Sequence, residues 1–200
     1  MKVIYVVVGI SIVILLFQSF KLMSNSLKTE NQKYRTVLTD GQMEIRYYPS
    51  ATFATIYSAE TEYKALASSG FRRLAGYIFG GNDQAQSIPM TAPVRMEMGP
   101  KGSSMSFVMP QKYNEKALPT PNDTQIEIKK SEPTYFAAIS FGGWANQDKI
   151  AQYKKQLVEG LQAQNIAHTN QFYFLGYNAP YETTNRRNEV IVVLDSFSPY

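Results

Sequence analysis

The stretch Ile88-Pro89-Met90-Thr91-Ala92-Pro93-Val94 places two prolines within a run that otherwise has the composition of a β-strand. Each proline lacks an amide hydrogen and fixes φ, so neither suits the middle of a fully paired strand. We therefore predict that this stretch lies at the rim of a sheet. A second stretch, Asn185-Arg186-Arg187-Asn188-Glu189-Val190, sets two guanidinium groups beside a carboxylate, where the apolar strand Val190–Leu194 begins.

The first half of the chain has the pattern strand, strand, helix, strand, strand. Residues 43–48 and 52–58 alternate apolar and polar side chains around Pro49-Ser50, which predicts a β-hairpin. A helix follows, with apolar residues at helical spacing between Tyr63 and Ile78, and Gly80-Gly81-Asn82 is expected to end it. Two more predicted strands complete this half, at residues 89–98 and 104–109.

The second half repeats the same order. Its predicted strands are residues 124–129, 134–141, 171–177 and 189–194, and its helix begins near Gln147. The apolar face of that helix consists of Ile150, Tyr153, Leu157, Val158 and Leu161. The proline-rich segment 118–123 joins the two halves.

Such a duplication predicts two similar halves related by a pseudo-twofold axis. The predicted fold class is α+β: an eight-stranded, mostly antiparallel sheet, curled into a distorted barrel with two helices packed on it. Curled sheets of this kind leave grooves at the boundary between helix and sheet, where apolar ligands commonly bind.

Residues 1–23 differ in composition from the rest of the chain. Val3–Phe17 contains no charged residue, and the apolar character extends to Phe20. This length is at the lower limit for a membrane-spanning helix, which needs about 17–25 residues. We predict an uncleaved membrane anchor, with a cleaved signal segment as the alternative, since Ser24-Asn25-Ser26 is a poor cleavage site. A buried strand or helix is the third possibility.

Two features bear on which side of the membrane the domain faces, and they disagree. The basic flank after the apolar segment favours a cytoplasmic domain, whereas the very short leading tail is typical of an exported signal anchor. We expect a membrane-anchored protein whose domain is extracytoplasmic.

The composition excludes several kinds of site. The chain has no cysteine, which excludes disulfides, zinc–thiolate sites and a thiolate haem ligand. The net charge of +4 comes largely from the flank after the apolar segment, so no nucleic-acid surface is indicated. With a single histidine and no glycine-rich phosphate loop, the sequence gives little support for catalysis.

The chain resembles the SOUL haem-binding protein family from about Tyr34 to Val193. The resemblance depends on several ordered motifs: residues 44–49, 71–82, 88–94, 107–110, 119–121, 141–143 and 186–190. We therefore assign residues 24–33 to a linker and 34–200 to a SOUL-like domain. The resemblance implies a distorted barrel with two helices that binds haem or related tetrapyrroles in an apolar surface groove, and no enzymatic activity.

The resemblance directs attention to the first helix and the strand facing it. Haem needs a large apolar surface and a cation for its propionates. Phe71, Leu74, Ile78 and Met90 would supply the apolar surface, and the residues at the groove margin, Phe71 and Arg72, are the better ligand candidates. Each apolar residue could equally belong to the core.

Axial ligation of the iron is expected to be weak or absent, with haem held non-covalently. Where one branch of the family carries a histidine, this chain has Tyr47, which ligates only as or near the phenolate. His168 lies in a polar turn, and the methionines are explained by core packing. We expect no metal site. Arg186–Glu189 is interpreted as an internal ion pair, with a propionate clamp as the alternative.

The predicted function is that of a membrane-tethered haem or tetrapyrrole carrier, buffer or sensor. The alternative is a module that binds a non-haem small molecule or a protein partner in the same groove. A small enzyme of tetrapyrrole metabolism is a third possibility, suggested only by the ligand class. The sequence leaves the oligomeric state open.

Overall fold

In the part of the chain that the structure describes, nine strands form one sheet in which every neighbouring pair is antiparallel. The computed structural model describes residues 29–99, 102–113 and 117–198. Within these ranges the strands are β1 (Glu30–Asn31), β2 (Arg35–Asp40), β3 (Met43–Tyr48), β4 (Thr52–Ser58), β5 (Thr91–Ala92), β6 (Val94–Gly99), β7 (Gly102–Val108), β8 (Ile126–Lys130), β9 (Thr134–Gly142), β10 (His168–Gly176) and β11 (Arg187–Leu194). The helices are α1 (Tyr63–Ile78) and α2 (Gln147–Ala163).

The chain divides into two units, Met1–Glu30 and Asn31–Tyr200. The predicted membrane anchor or signal, residues 1–23, lies outside the described residues, as does most of the linker assigned to 24–33. Neither described helix combines the length and hydropathy that crossing a bilayer requires.

The strand order has the symmetry that a duplication predicts. Outward from the β6–β10 ladder, the order is β6, β7, β4, β8 in one direction and β10, β11, β9, β3 in the other. The first strand of each half has therefore crossed to the outside of the other half. The two halves are interlocked through these exchanged strands rather than placed side by side.

The predicted closed, eight-stranded barrel is wrong, because the sheet has nine strands and is open. Closure would require β3 to pair with β8, the exchanged strands at the two ends. Instead β2 pairs with β3 and occupies that hydrogen-bonding edge, with Leu38 opposite Ile45. The sequence hid β2 because its side chains are exposed almost throughout, so no apolar alternation marks it.

The predicted hairpin between residues 43–48 and 52–58 is also wrong, although both strands exist. β3 pairs with β2 and β9, whereas β4 pairs with β7 and β8. Alternation shows which residues face the core, but it carries no information about the partner strand.

Helix α1 forms and ends where the sequence predicted. Its buried face includes Leu66, Leu74 and Tyr77, and it packs mainly against β7 and β4. After the last turn Gly80 has a φ of +108°, a backbone conformation that glycine adopts without strain. The Gly81 amide then donates to the Gly76 carbonyl at 2.8 Å, which closes the C-terminal turn.

Helix α2 covers the second half of the sheet. The Asn146 side chain caps its first turn by accepting a hydrogen bond from the Lys149 amide at 2.8 Å. Ile150, Leu157 and Leu161 are buried, and the helix packs against β9, β10 and β11. Both predicted helices are therefore confirmed.

The sheet has two chemically different faces. Alternate strand residues join the helices in the main core, for example Ile45, Ile56, Met105, Ile139 and Val192. The residues between them point to the opposite face, which we call the helix-free face because its apolar cluster contains no helix residue. This face carries Arg46, Tyr48, Phe53, Arg95, Phe136, Tyr173, Leu175, Glu189 and Ile191.

We predict that Gly81→Ala lowers the free energy of unfolding by about 1–3 kcal/mol, the range typical of overpacking. A Cβ at Gly81 would lie 2.6 Å from the Gly76 carbonyl oxygen, which belongs to backbone that cannot move away freely. Chemical denaturation measures the effect.

Gly76→Ala is the matched control, because a Cβ there meets nothing within 4 Å. It should stabilise α1 by up to about 1 kcal/mol through helix propensity. Equal effects from the two substitutions would contradict the packing argument.

Candidate functional site

Four of the predicted groove residues, Phe71, Leu74, Ile78 and Met90, belong to the main core or pack against it. Leu74 and Ile78 are fully buried in the main core. Phe71 and Met90 are only half-buried and pack against the same cluster, with the Phe71 ring 5.4 Å from that of Phe107. Phe71 and Met90 therefore retain exposed surface, whereas Leu74 and Ile78 have almost none.

Two neighbouring arginines of α1 differ in their surroundings. Arg73 donates two hydrogen bonds to the Asp123 carboxylate, at 2.6 and 2.5 Å, and a third to Gln125. These bonds hold the pKa of Asp123 below its usual range. Arg72 is exposed on the surface of the helix, one residue after Phe71. Of the two arginines, Arg72 is therefore the one whose guanidinium a ligand anion can approach.

Tyr47 lies outside the cluster around α1. It is a half-buried residue of β3, with its ring 5.2 Å from that of Tyr135 and the Arg35 guanidinium 5.9 Å from its centre. The structure does not bring Tyr47 into the apolar cluster that contains Phe71 and Met90.

Helix α1 presents a half-buried Phe71 next to an exposed Arg72, and Met90 is also half-buried. Side chains of these types can contact a porphyrin ring and pair with a propionate. Elsewhere, His168 Nδ1 lies 2.5 Å from the Thr169 carbonyl, and its ring packs on Phe172. Among the described residues, no three histidine, aspartate or glutamate side chains are grouped as a metal site.

The stretch 88–94 is interrupted where its prolines predicted, but it is not a sheet edge: β5 belongs to a separate two-stranded sheet, and β6 is a central strand of the large one. Pro93 separates β5 from β6, and the Ala92–Pro93 peptide bond is cis. The Thr91 hydroxyl donates to the Val108 carbonyl, and the Ala92 carbonyl accepts from the Gln32 amide at 2.8 Å. These hydrogen bonds connect the stretch to Val108 and to Gln32.

The second motif builds a buried ion-pair network around Glu189, which is completely buried. Arg46 donates to both carboxylate oxygens, at 2.8 and 3.1 Å, and Arg187 donates twice to Oε1, at 2.6 and 3.0 Å. The Tyr177 hydroxyl and the Ser140 hydroxyl donate to the same carboxylate, at 2.8 and 3.0 Å.

Electrostatics keep Glu189 ionised. Burial alone would raise the pKa of Glu189, but the hydrogen bonds and charges of Arg46 and Arg187 outweigh it and hold this pKa below its usual range. Burial, with the nearby Glu189 charge, raises the pKa of Tyr177 far above its usual value. Tyr177 therefore stays a neutral donor to the carboxylate.

The prediction of an internal ion pair is confirmed, with one difference. Glu189 binds two arginines, one from its own motif and one, Arg46, from the first half of the chain. Arg186 does not contact this carboxylate. It donates to the carbonyls of Ala179 and Glu182 and lies 4.0 Å from the ring centre of Trp144.

The sequence prediction missed Arg95, a half-buried residue on the helix-free face that borders two cavities. The cavities have volumes of about 160 and 190 Å³. Strand β6 did carry a signal: Val94, Met96 and Met98 join the main core, so Arg95 must point to the opposite face.

Comparison with known proteins agrees with the fold and with the family resemblance. The family model described as SOUL heme-binding protein matches residues 29–193. "Heme-binding protein 2" of Mus musculus is 27% identical over 162 residues, which cover 76% of this chain and 78% of that protein. "Heme-binding protein 1" of Mus musculus is 25% identical over 183 residues, covering 84% and 96%.

Solved structures support the fold alone. The EcmrR C-terminal domain superposes with a TM-score of 0.59 at 9% identity and covers 78% of this chain and 98% of that domain. A hydrolase from Listeria innocua superposes with a TM-score of 0.54 at 7% identity, covering 88% and 98%.

We predict that Glu189→Gln lowers the free energy of unfolding at neutral pH by about 3–5 kcal/mol, because it removes the buried counter-charge of Arg46 and Arg187 and leaves Arg46 only the partly exposed Glu44. The lowered pKa of Glu189 adds stability above the ordinary glutamate pKa of 4.5, which is lost as the pH falls through the folded-state value. The variant should therefore lose less stability than the wild type on acidification below about pH 4.5. Urea unfolding across this pH range measures both effects.

Glu44→Gln is the matched control, since Glu44 contacts the same guanidinium at 2.6 Å but its side chain is 33% exposed. We expect a loss below about 1 kcal/mol. Equal losses in the two variants would contradict the assignment of Glu189 as the essential counter-ion.

Proposed function

The chain belongs to the SOUL heme-binding protein family, and we propose that it binds haem or a related tetrapyrrole non-covalently at the surface around α1. The observation that carries this proposal is the family match, which spans nearly all of the folded unit. The two mouse relatives described above are named Heme-binding protein 2 and Heme-binding protein 1.

The proposed contact surface combines apolar side chains for the porphyrin ring with a cation for a propionate. Phe71 and Met90 would pack against the porphyrin ring, and Arg72 would pair with a propionate. Leu74 and Ile78 are buried too deeply for wide contact, and they would hold the helix surface in position. Tyr47 remains a candidate from the family resemblance alone.

In this proposal the affinity comes mainly from apolar contact and propionate pairing, with weak or no axial ligation. His168 is held near the Thr169 carbonyl and is not part of the cluster around α1. Such binding suits a carrier, buffer or sensor, which must release its ligand. We propose no enzymatic reaction for it, consistent with a family of binding proteins.

We further propose that residues 1–23 anchor the protein in a membrane, with the folded unit on the extracytoplasmic side. The support is the uncharged apolar segment Val3–Phe17 and the very short leading tail.

We predict a saturable Soret shift when haemin is added to the full-length chain, and weaker binding in Arg72→Glu. Reversing an exposed charge that pairs with a propionate should reduce the affinity about three- to tenfold. Lys64→Glu, an equal charge change at an exposed position of the same helix, is the control and should leave the affinity nearly unchanged.

A wild-type protein that gives no saturable shift with haemin would refute haem binding. Equal losses in Arg72→Glu and Lys64→Glu would refute the location while leaving haem binding intact. A co-purifying ligand other than a porphyrin, detected by native mass spectrometry, would favour a binding module for another small molecule.

We predict that the full-length chain, expressed in its source cell, sediments with membranes and resists extraction at alkaline pH. A chain lacking residues 1–23 should be released into the supernatant. Release of the full-length chain under the same conditions would contradict the anchor.

A further inference from the structure

We propose that the helix-free face holds a second binding site, which takes a small organic carboxylate with Arg95 as its cationic anchor. The site is separate from the haem surface proposed around α1, and neither proposal depends on the other.

The Arg95 guanidinium lies in an aromatic environment. Its central carbon is 4.6 Å from the ring centre of Phe53, 4.9 Å from that of Tyr173 and 5.5 Å from that of Phe136. All three rings therefore lie within cation–π distance of the guanidinium, an interaction that gives its N–H groups no hydrogen-bond acceptor.

Hydrogen bonding of Arg95 is unusually sparse. Its Nε atom is buried and has no hydrogen-bond partner among the described residues. Its closest polar contact is Nη2 to the Gln32 side-chain oxygen at 3.5 Å, longer than a normal N–H···O bond. Arg46 and Arg187, on the same face, each donate at least three hydrogen bonds to side-chain oxygens.

Arg95 also lacks a carboxylate partner within the described residues. Glu97 is two residues along β6 and Glu132 borders the same cavity, but neither forms an ion pair with it. Burial lowers the pKa of Arg95, which reflects the cost of holding this charge away from water. An anion that accepts from the guanidinium edge would offset that cost.

The two cavities define the size and shape of the ligand. Both are bordered by Arg95, Ser131, Gln171 and Tyr173. At about 160 and 190 Å³, each is smaller than the roughly 300–1,000 Å³ typical of drug-sized ligands, and so too small to enclose a tetrapyrrole.

The chemistry of the walls favours a carboxylate over a phosphate. A planar carboxylate matches the guanidinium fork with two parallel hydrogen bonds. Aromatic walls such as Tyr48 and Phe136 in one cavity, and Phe53 in the other, suit an apolar body attached to that group. Arg95 and Glu132 are the charged residues that line the first cavity, and Glu132 would repel a doubly charged phosphate more strongly than a monoanion. The second cavity combines Glu97 with Lys129 and Lys130, so this preference belongs to the first cavity.

The test uses benzoate as the probe and benzamide as its uncharged control, with the full-length chain labelled with ¹⁵N for NMR. We expect benzoate to shift the Arg95 Nε–H and Tyr173 amide signals saturably, and benzamide to bind at least about tenfold more weakly. If neither compound shifts these signals, or both shift them equally, the carboxylate site is refuted.

Two variants separate the anchor from general charge effects. Arg95→Lys retains the charge but loses the planar fork, and should weaken benzoate binding about tenfold or more. Arg35→Met removes a positive charge from the edge strand β2 and should leave benzoate binding unchanged. Equal weakening in both variants would assign the effect to overall charge and overturn the proposal.

Haemin addition tests whether the two sites are separate. We expect haemin to leave the benzoate-saturated Arg95 signal unchanged. Displacement of benzoate by haemin would place the tetrapyrrole on the helix-free face, which would overturn this inference while supporting haem binding. A benzoate response without any haemin binding would support this inference and refute haem binding.

Discussion

The ion pair between Arg46 and Glu189 holds the two halves of the sheet in register. Arg46 comes from β3 and Glu189 from β11, and β9 lies between those strands. On β9, Phe136 is opposite Arg46 and Ser140 is opposite Glu189, with Ala138 between them, and the Ser140 hydroxyl donates to the carboxylate. A buried ion pair of this kind gains little net free energy, but mispairing would leave two charges buried without partners. Its main effect is therefore to specify which strands are neighbours, and the exchange of β3 into the second half requires such a device.

The same arrangement gives the molecule two surfaces with different capacities. On one side the helices seal the main core, so a ligand there meets only what α1 leaves exposed, notably Phe71 and Met90. On the helix-free face, aromatic and charged side chains of neighbouring strands pack against one another, and no helix residue joins their apolar cluster. Glu189 satisfies Arg46 and Arg187 there, but Arg95 lies among aromatic rings with little hydrogen bonding. The two faces therefore favour ligands of different size and charge.

Local structure was readable from the sequence because it depends on local periodicity. The spacing of Leu66, Leu74 and Ile78 predicted α1, and the strands of both halves were found within a few residues of their ends. Strand pairing could not be predicted, because alternation indicates which face a residue occupies and not which strand lies beside it. For this reason the predicted hairpin between β3 and β4 was wrong. At the proposed haem surface, the placement of Phe71 at the groove margin agrees with its partial exposure, but helical spacing alone did not show that Leu74 is completely buried. Arg95 was missed because a lone arginine in a strand looks solvent-exposed until the packing of both faces is known.

The features that hid β2 from sequence reasoning also explain how an open sheet stays protected. Because the sheet is open, β2 and β8 are its edge strands, and the unpaired backbone groups of an edge strand can pair with another chain. β2 is exposed along most of its length and carries Arg35 and Asp40 at its ends, while β8 carries Glu127, Lys129 and Lys130. Charged side chains on an edge disfavour the approach of a second sheet. A strand with an apolar alternation at this position would have been easier to predict, but it would also have exposed an apolar edge to other chains.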